Sequence, residues 1–242
     1  MKDFEYKIDF IEFNDINLKA YMDIQHKKVD IWYFNSLKRN KCILHNFLYT
    51  ALTDEEIKDV NRYNFFYDGE THLFSRGILK LILSKYIKVS SKNIDLIKTR
   101  YGKLELNKEQ NVNNINFNVS HSKDLIVIAV IKDVKIGVDV EYVDEELNFK
   151  DLISNIRSSQ EVNKYCRLII NREFLKLWTK KEAFVKGTGV GLSRNLKSFY
   201  VITDTNKVIF DKLSGEEWYV DNLSLLNDYE LSLVIERKRS KE

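Results

Sequence analysis

Residues 116–141, which read NFNVSHSKDLIVIAVIKDVKIGVDVE, predict three consecutive β-strands separated by short polar turns. The predicted strands are Asn116–His121, Leu125–Lys132 and Lys135–Glu141. The middle strand contains the longest apolar run of the chain, which has the length of a strand and is too short to cross a membrane. The third strand alternates apolar and polar side chains, as a half-buried strand does.

A long helix and further strands are predicted after these three strands. The helix covers about Arg172–Lys186, because large apolar residues recur there at helical spacing, and Gly187 is a natural end for it. Four more segments have the composition of strands: Phe199–Thr203, Val208–Phe210, Trp218–Val220 and Tyr229–Ile235.

The residues before position 112 show a similar combination of strand and helix. Residues 4–10 alternate apolar and polar side chains and predict a half-buried strand, whose expected partner is Leu18–Ile24. Thr53 and Glu56 have the spacing of a capping box and predict the start of a helix. A second helix, with one buried apolar stripe, is predicted over Glu70–Tyr86.

The polar, asparagine-rich segment Lys103–Asn116 is predicted to cross between these two regions. We place the boundary within it, which gives an N-terminal half of residues 1–112 and a C-terminal half of residues 113–242. Each half combines a sheet with a long helix, so the predicted fold class is α+β.

The composition is that of a globular protein. The 242 residues are 44% hydrophobic, 12% aromatic and 31% charged, which is far too apolar for a disordered chain. A net charge of only +3 and the lack of nucleic-acid-binding motifs argue against a nucleic-acid partner, and no apolar run suits a membrane anchor. Two cysteines outside any zinc-binding spacing, and an N-terminus that carries acidic residues unlike a signal peptide, predict a cytoplasmic protein.

Two carboxylates of the third strand are candidates for metal binding. Asp139 and Glu141 lie two residues apart, so a strand presents both on one face, about 6.5 to 7 Å from each other. A divalent cation bound by both would relieve the repulsion between them. The alternative is an ordinary strand with a solvated polar face.

Glu182 and Lys186 lie one turn apart on the long predicted helix, in line with Trp178. Glu182 has the chemistry of a third metal ligand or of a general base, and Lys186 that of a phosphate-neutralising group. The alternative is a solvated ion pair that contributes a few tenths of a kcal/mol. Ser120 and His121 offer a hydroxyl and an imidazole at the end of the first strand, where the alternative role is turn capping.

The three segments together are more specific than any one of them. FNVSHS (117–122), GVDVE (137–141) and WTKKEAFVKGTGVGL (178–192), in this order and spacing, closely resemble the signature of the Sfp-type 4′-phosphopantetheinyl transferases. The resemblance extends to Tyr101-Gly102-Lys103 and, more loosely, to residues 53–80. It therefore covers most of the chain.

This resemblance implies a reaction, a fold and a set of partners. Members of the family transfer the 4′-phosphopantetheine of coenzyme A to a conserved serine of an apo acyl, peptidyl or polyketide carrier protein, and they release adenosine 3′,5′-bisphosphate. The implied fold is two similar α+β halves related by a pseudo-twofold axis, with the active site in the cleft between them, in a monomer. The implied cofactor is Mg²⁺, with Mn²⁺ as an alternative ion, and coenzyme A is the co-substrate.

The resemblance also implies roles in catalysis. Asp139, Glu141 and Glu182 match the Mg²⁺ ligands of the family, and Glu182 is in addition the expected base for the serine hydroxyl. Lys186 matches a lysine that contacts phosphate, so the implied catalytic group is Asp139, Glu182 and Lys186.

Further residues are implied to bind the nucleotide of coenzyme A. Ser120, His121 and Lys103 match residues that hold it, together with Lys186. His72 falls where a contact to the 3′-phosphate is expected, and Lys58, Arg62 or Arg76 are alternative cations for the same role. The chain departs from the family pattern at three positions: Leu104 replaces a common proline, and Glu56 and Asp59 replace basic residues. The turn at Leu104 is therefore expected to be looser.

Two other functions remain open. One is a Mg²⁺-dependent hydrolase of pyrophosphate bonds in coenzyme A-like nucleotides, which would use the same acidic cluster without a carrier protein. The other is a non-catalytic module that binds carrier proteins. Loss of catalytic carboxylates would mark such a module, and this chain retains Asp139, Glu141 and Glu182.

Overall fold

A computed structural model describes residues 6–14, 22–36, 41–63, 66–146, 150–162, 171–201 and 207–238. Strands and helices come in separate groups along these residues, which confirms the predicted α+β class. In chain order the elements are β1 (Lys7–Glu12), β2 (Lys28–Asn35), α1 (Lys41–Ala51), α2 (Asp54–Asn61), α3 (Phe66–Ile87), β3 (Leu96–Lys98), β4 (Leu104–Leu106), β5 (Ile115–Ser122), β6 (Leu125–Lys132), β7 (Ile136–Tyr142), α4 (Lys150–Ile156), α5 (Asn171–Thr188), β8 (Val208–Phe210), β9 (Glu217–Leu223) and β10 (Tyr229–Arg237).

The larger strands form two four-stranded sheets. The first has the order β1-β2-β6-β5 and the second the order β7-β10-β9-β8, while β3 and β4 form a separate two-stranded hairpin. The pairing of β1 with β2 is parallel and all other strand pairs are antiparallel. No helix among the described residues is both long enough and apolar enough to cross a membrane.

The partner of β1 differs from the predicted one. Most of the predicted partner, Leu18–Ile24, lies outside the described residues, and residues 22–24 are not in a strand. Instead β1 pairs with β2, with Lys7 opposite Lys28. The physical reason is that β2 has the apolar side chains of a buried strand, including Val29 and Ile31, and that a parallel pair needs a connection of a dozen or more residues, as this one has.

The first sheet extends past the predicted boundary between the halves. Strands β5 and β6 lie C-terminal to residue 112, yet β6 pairs directly with β2. The change of sheet occurs between Lys132 and Ile136. The predicted boundary at 112/113 therefore does not coincide with the point where the chain leaves the first sheet, because the polar segment around it leads from the β3–β4 hairpin into β5 of that sheet.

Most of the predicted elements are present with similar bounds. Thr53 and Glu56 form the expected capping box at the start of α2, and the strands predicted within residues 116–141 correspond to β5, β6 and β7. Helices α1 and α4 were not predicted. Phe199–Val201 is not a strand, and residues 202–206 lie outside the described part of the chain.

Strand β6 separates two hydrophobic cores. Ile126, Ile128 and Val130 pack with the helices of the first half, whereas Val127 and Ala129, on the opposite face, pack with the second sheet. A third core lies between α5 and the other face of the second sheet. The order of layers is therefore helices, first sheet, second sheet and α5, with the two sheets packed against each other.

Two glycines bring α5 against β7. A Cβ atom on Gly137 would lie 2.0 Å from the carbonyl oxygen of Ala183 and 2.5 Å from the backbone nitrogen of Gly187. Only glycine permits this approach of strand and helix backbones. Gly187, predicted to end the helix, instead lies within α5 at this contact, and Gly189, at a φ of +79°, follows the helix end.

Candidate active site

Polar side chains from β5, β7 and α5 converge beside this backbone contact. β5 contributes Ser120 and Ser122, β7 contributes Asp139 and Glu141, and α5 contributes Glu182 and Lys186; all of these are buried or half-buried. The period of two along β5 and β7 and the spacing of four along α5 direct these side chains to one place, as the sequence predicted for the carboxylates and the lysine.

Asp139 is the most buried of the three carboxylates. Its Oδ1 accepts hydrogen bonds from the Ser120 hydroxyl at 2.9 Å and from the Lys186 ammonium at 2.5 Å. Its Oδ2 is buried and has no hydrogen-bond partner among the described residues. Burial raises the pKa of Asp139, and the charge of Lys186 opposes that shift. This carboxylate thus has one satisfied oxygen and one that can accept another positive group.

Both oxygens of Glu141 have donors. Oε2 accepts from the Ser122 hydroxyl at 2.9 Å, and Oε1 accepts from the indole Nε1 of Trp178 at 3.4 Å. Burial raises the pKa of Glu141, and the nearby charge of Asp139 raises it further. The protein therefore fixes the direction of this side chain.

Glu182 is a carboxylate whose pKa lies near neutrality. Burial raises its pKa to about 7, and the charges of Asp139 and Glu141 act in the same direction. Its Oε1 is buried without a hydrogen-bond partner in the described part of the chain. A carboxyl group with a pKa near neutrality can accept or release a proton near pH 7.

The three predicted metal ligands lie beside the contact of β7 with α5, and the charge of Asp139 raises the pKa of both Glu141 and Glu182. As they stand, no group of three or more His, Cys, Asp or Glu side chains within the described ranges is arranged to hold a metal ion. The Lys186 ammonium instead neutralises Asp139. The unpartnered oxygens of Asp139 and Glu182, and the mutual repulsion of the carboxylates, nevertheless fit a hard cation with oxygen ligands.

Lys103 does not present its ammonium to solvent. Nζ donates to the carbonyl oxygens of Ile136, at 3.3 Å, and Gly187, at 2.9 Å. Burial lowers the pKa of Lys103 to about 8. The side chain therefore links the first half of the chain to the place where β7 and α5 meet. It also lines a cavity of about 260 Å³ with Tyr101, Leu104, Phe117, Val119 and Lys186, among others.

The turn before Leu104 is closed without a proline. The backbone N–H of Gly102 donates to Thr99 at 2.9 Å, that of Thr99 donates to Lys103 at 2.8 Å, and Gly102 has a φ of +85°. Leu104 then begins β4. Two backbone hydrogen bonds and a glycine with positive φ thus close this turn, and the expectation that it is looser than in family members with a proline stays a prediction.

His121 is exposed, although its neighbour Ser120 is buried, because successive side chains of β5 point to opposite faces. His72 and Arg62 line a second cavity, of about 370 Å³, together with Glu56, Asp59, Tyr63, Arg76 and Lys98. Among the described residues, this cavity shares none of its lining with the one beside Lys186. The structure thus brings Ser120 to the carboxylates and leaves His72 and Arg62 in a separate cavity.

The cations of this second cavity are partly neutralised by acids. Arg62 pairs with Asp59 at 2.9 Å, and Arg76 lies 3.9 Å from Glu56. Burial lowers the pKa of His72, as does the charge of Arg76, so its imidazole favours the neutral form. Glu56 and Asp59, which replace basic residues of the family pattern, therefore line the same cavity as Arg62 and Arg76.

Two polar side chains of β5 beside the carboxylates were not singled out from the sequence. Ser122 donates to Glu141, and Asn118 accepts from the backbone N–H of Val138 at 2.9 Å. The signal that would have found them is the period of two in FNVSHS, which places Asn118, Ser120 and Ser122 on one face of β5.

The chain matches two family models, which lie one after the other along the sequence. A family model described as 4′-phosphopantetheinyl transferase, N-terminal, matches residues 42–133, and the 4′-phosphopantetheinyl transferase superfamily model matches residues 135–234. The two models meet at the change of sheet between β6 and β7.

Individual relatives are similar over much of their length. The 4′-phosphopantetheinyl transferase HetI of Nostoc sp. is 29% identical over 61% of this chain and 63% of its own length. The 4′-phosphopantetheinyl transferase gsp of Aneurinibacillus migulanus is 25% identical over 71% of this chain and 70% of its own. The human L-aminoadipate-semialdehyde dehydrogenase-phosphopantetheinyl transferase is 25% identical over 61% of this chain and 51% of its own.

Proposed function

The chain belongs to the 4′-phosphopantetheinyl transferase superfamily, and we propose that it transfers the 4′-phosphopantetheine of coenzyme A to a serine of an apo carrier protein. The second product is then adenosine 3′,5′-bisphosphate. The observation that carries the proposal is the buried cluster of Asp139, Glu182 and Lys186, which combines a carboxyl group of near-neutral pKa with a positive charge.

The reaction makes one bond and breaks one. The carrier's serine oxygen attacks the phosphorus that bears the pantetheine, and the bond from that phosphorus to the bridging oxygen breaks. The electron pair of that bond stays on the leaving adenosine 3′,5′-bisphosphate, and the serine proton passes to Glu182. Because the pKa of Glu182 is about 7, a substantial fraction of its carboxyl groups is ionised and ready to accept that proton at neutral pH.

Lys186 supplies positive charge where negative charge develops. Its ammonium lies between Ser120 and Asp139 and is about one-third exposed, so it can contact a bound phosphate without leaving this position. A preorganised cation in a partly buried site stabilises the transition state of phosphoryl transfer.

Asp139, Glu141 and Glu182 would hold Mg²⁺ or Mn²⁺ in this proposal. The ion would neutralise charge on the pyrophosphate oxygens. Unpartnered oxygens on Asp139 and Glu182 support this assignment. A carboxylate that binds a metal is a weaker base, so the ligand and base roles of Glu182 are two separable parts of the proposal.

The nucleotide of coenzyme A is proposed to lie along Ser120, His121 and Lys103, with its 3′-phosphate at His72 and Arg62. The cavity that Lys103 lines beside Lys186 and the one around His72 support the places given to these residues, whereas the assignment of Ser120 and His121 rests on the family resemblance. We further propose that the protein acts as a cytoplasmic monomer on acyl, peptidyl or polyketide carriers.

The decisive experiment incubates the protein with coenzyme A, Mg²⁺ and several apo carrier proteins, and follows the intact mass of each carrier. A phosphopantetheine adduct on at least one carrier is the expected result. Consumption of coenzyme A without an adduct would instead identify a pyrophosphate hydrolase, and carrier binding with neither product would identify a non-catalytic module.

A further inference from the structure

Strands β5 and β7 are joined by side chains, although they belong to different sheets. The side-chain oxygens of Asn118, Ser120 and Ser122 accept hydrogen bonds from the backbone N–H groups of Val138 at 2.9 Å, Val140 at 3.3 Å and Tyr142 at 3.1 Å. Each acceptor precedes its donor by 20 residues. The three bonds therefore form a regular ladder, which we call the β5–β7 ladder.

The position of β7 explains why it needs such a ladder. Among the described strands, it lies at the edge of the second sheet and pairs there with β10 alone. Alternate N–H groups of an edge strand point away from the sheet and lack a partner within it. Polar side chains at every second position of β5 satisfy these groups in a buried place, where unsatisfied N–H groups would be costly.

Two of the three acceptor side chains also donate a hydrogen bond to a carboxylate. The Ser120 hydroxyl donates to Asp139 and the Ser122 hydroxyl donates to Glu141, each at 2.9 Å. A hydroxyl has one hydrogen to donate and two lone pairs to accept with. The backbone N–H donates to a lone pair of the serine oxygen and does not use the hydroxyl hydrogen. The serine can therefore donate that hydrogen to the carboxylate at the same time. Asn118 occupies the same kind of place in the ladder but accepts with its amide oxygen.

We infer that Ser122 is a positioning residue for Glu141, which fixes one oxygen of this carboxylate by linking it to the backbone of Tyr142. The inference rests on the proposed function, in which Glu141 is a metal ligand. Trp178 holds the other oxygen, so Glu141 has a single direction before any ion binds. Partners that orient a ligand in this way typically change metal affinity by about 10- to 100-fold when removed.

The test compares Ser122→Ala with Asn118→Ala, its matched control. Both variants remove one bond of the β5–β7 ladder, but only Ser122→Ala removes a contact to a carboxylate. Binding of Mn²⁺ is measured by calorimetry or electron paramagnetic resonance without coenzyme A or carrier, and the melting temperature of each variant is recorded. We expect Ser122→Ala to lose about tenfold in Mn²⁺ affinity. Asn118→Ala should lose a similar amount of thermal stability and keep its Mn²⁺ affinity.

Two further variants keep the test informative. Ser122→Thr retains the hydroxyl and should restore Mn²⁺ binding. Ser122→Cys keeps nearly the same size with a weak donor, and it should lose affinity even where the alanine variant proves too unstable to purify.

Three results would overturn the inference: wild-type affinity in Ser122→Ala or Ser122→Cys, an equal loss of affinity in Asn118→Ala, or no Mn²⁺ binding by the wild-type protein. Mn²⁺ binding by the wild type without transfer to any carrier would refute the proposed function and leave the role of Ser122 intact.

Discussion

At the scale of single residues, the site concentrates negative charge that the protein only partly neutralises. Three carboxyl groups, of Asp139, Glu141 and Glu182, have raised pKa values because burial disfavours their ionised forms. Lys186 is the one cation that pairs with this group in the described structure. Such an arrangement lowers the stability of the folded protein, and it creates a site that attracts a further positive charge.

The variant Asp139→Asn separates the effect of this carboxylate on stability from its effect on transfer. The amide keeps the shape of the carboxylate and removes a buried charge, so we expect transfer to fall below detection while the melting temperature stays the same or rises. Carrier mass and thermal unfolding measure the two effects. Asp221→Asn, which removes an acid paired with Lys207 on the surface, is the control and should transfer normally. Full activity in Asp139→Asn would contradict the role given to this carboxylate.

Glu182 should make the metal-free protein less stable as pH rises. Its folded-state pKa of about 7 is above the ordinary value of 4.5. The stability that it contributes is therefore fully present below about pH 4.5 and is lost as pH rises through about 7. Glu182→Gln removes this loss. In EDTA, we expect the variant to exceed the wild type in free energy of unfolding by about 1 to 3 kcal/mol at about pH 8, and to match it at about pH 4.

The same variant distinguishes the two roles of Glu182. Mn²⁺ binding that survives in Glu182→Gln without any transfer would assign it the role of base alone. If instead the difference in unfolding free energy does not change between the two pH values, the pKa of Glu182 is not raised in the folded protein.

At the scale of elements, the site depends on how closely α5 approaches β7. Gly137 and Gly187 meet backbone to backbone, which sets the distance between the carboxylates of the strand and those of the helix. Lys103 donates to carbonyl oxygens on both sides of this contact, at Ile136 and Gly187. Elements distant in the chain thus fix the geometry of the carboxylate cluster.

Gly137→Ala tests this dependence without removing any functional group. The added Cβ would lie 2.0 Å from the carbonyl oxygen of Ala183, so the helix must move away from the strand. We expect a loss of about 1 to 3 kcal/mol or more in the free energy of unfolding, and loss of transfer under conditions where the variant is still folded. Denaturant titration and the carrier-mass assay measure these effects.

Gly215→Ala is the matched control, since a Cβ there contacts nothing within 4 Å. Its φ of +71° predicts a loss of about 1 kcal/mol from backbone strain alone, with transfer retained. Equal effects of the two alanines on transfer would show that the contact between α5 and β7 does not position the site.

Much of this element-level structure can be predicted from the sequence. The features that cannot be predicted have physical reasons. The alternation in residues 116–141 and the spacing of Trp178, Glu182 and Lys186 predict both the elements and the faces that converge. The pairing of β1 with β2 does not follow, because a parallel partner is chosen by burial and not by proximity in the chain. The partners of the Lys103 ammonium cannot be predicted from the sequence either, because they are backbone carbonyl oxygens, which every residue has.

At the scale of the whole molecule, the two sheets share one core. Val29, Ile31 and Val127 of the first sheet pack in the same hydrophobic cluster as Val138 and Leu233 of the second. The β5–β7 ladder adds polar bonds across the same interface. The two halves are therefore distinct in sequence and sheet pairing but not in packing, and the carboxylates lie where they meet.

This shared core predicts that neither half folds alone. A fragment of residues 134–242 would expose the face of β7 that carries Ile136, Val138 and Val140, and would leave the N–H groups of the β5–β7 ladder without acceptors. We expect this fragment, and the fragment of residues 1–133, to give poorly dispersed amide spectra when expressed separately. Mixing the two should restore a dispersed spectrum, Mn²⁺ binding and carrier modification. The intact chain should unfold in one transition, with far-ultraviolet and near-ultraviolet circular dichroism changing together. A stably folded 134–242 fragment, or two separate transitions, would show that the second sheet does not need the first to complete its core.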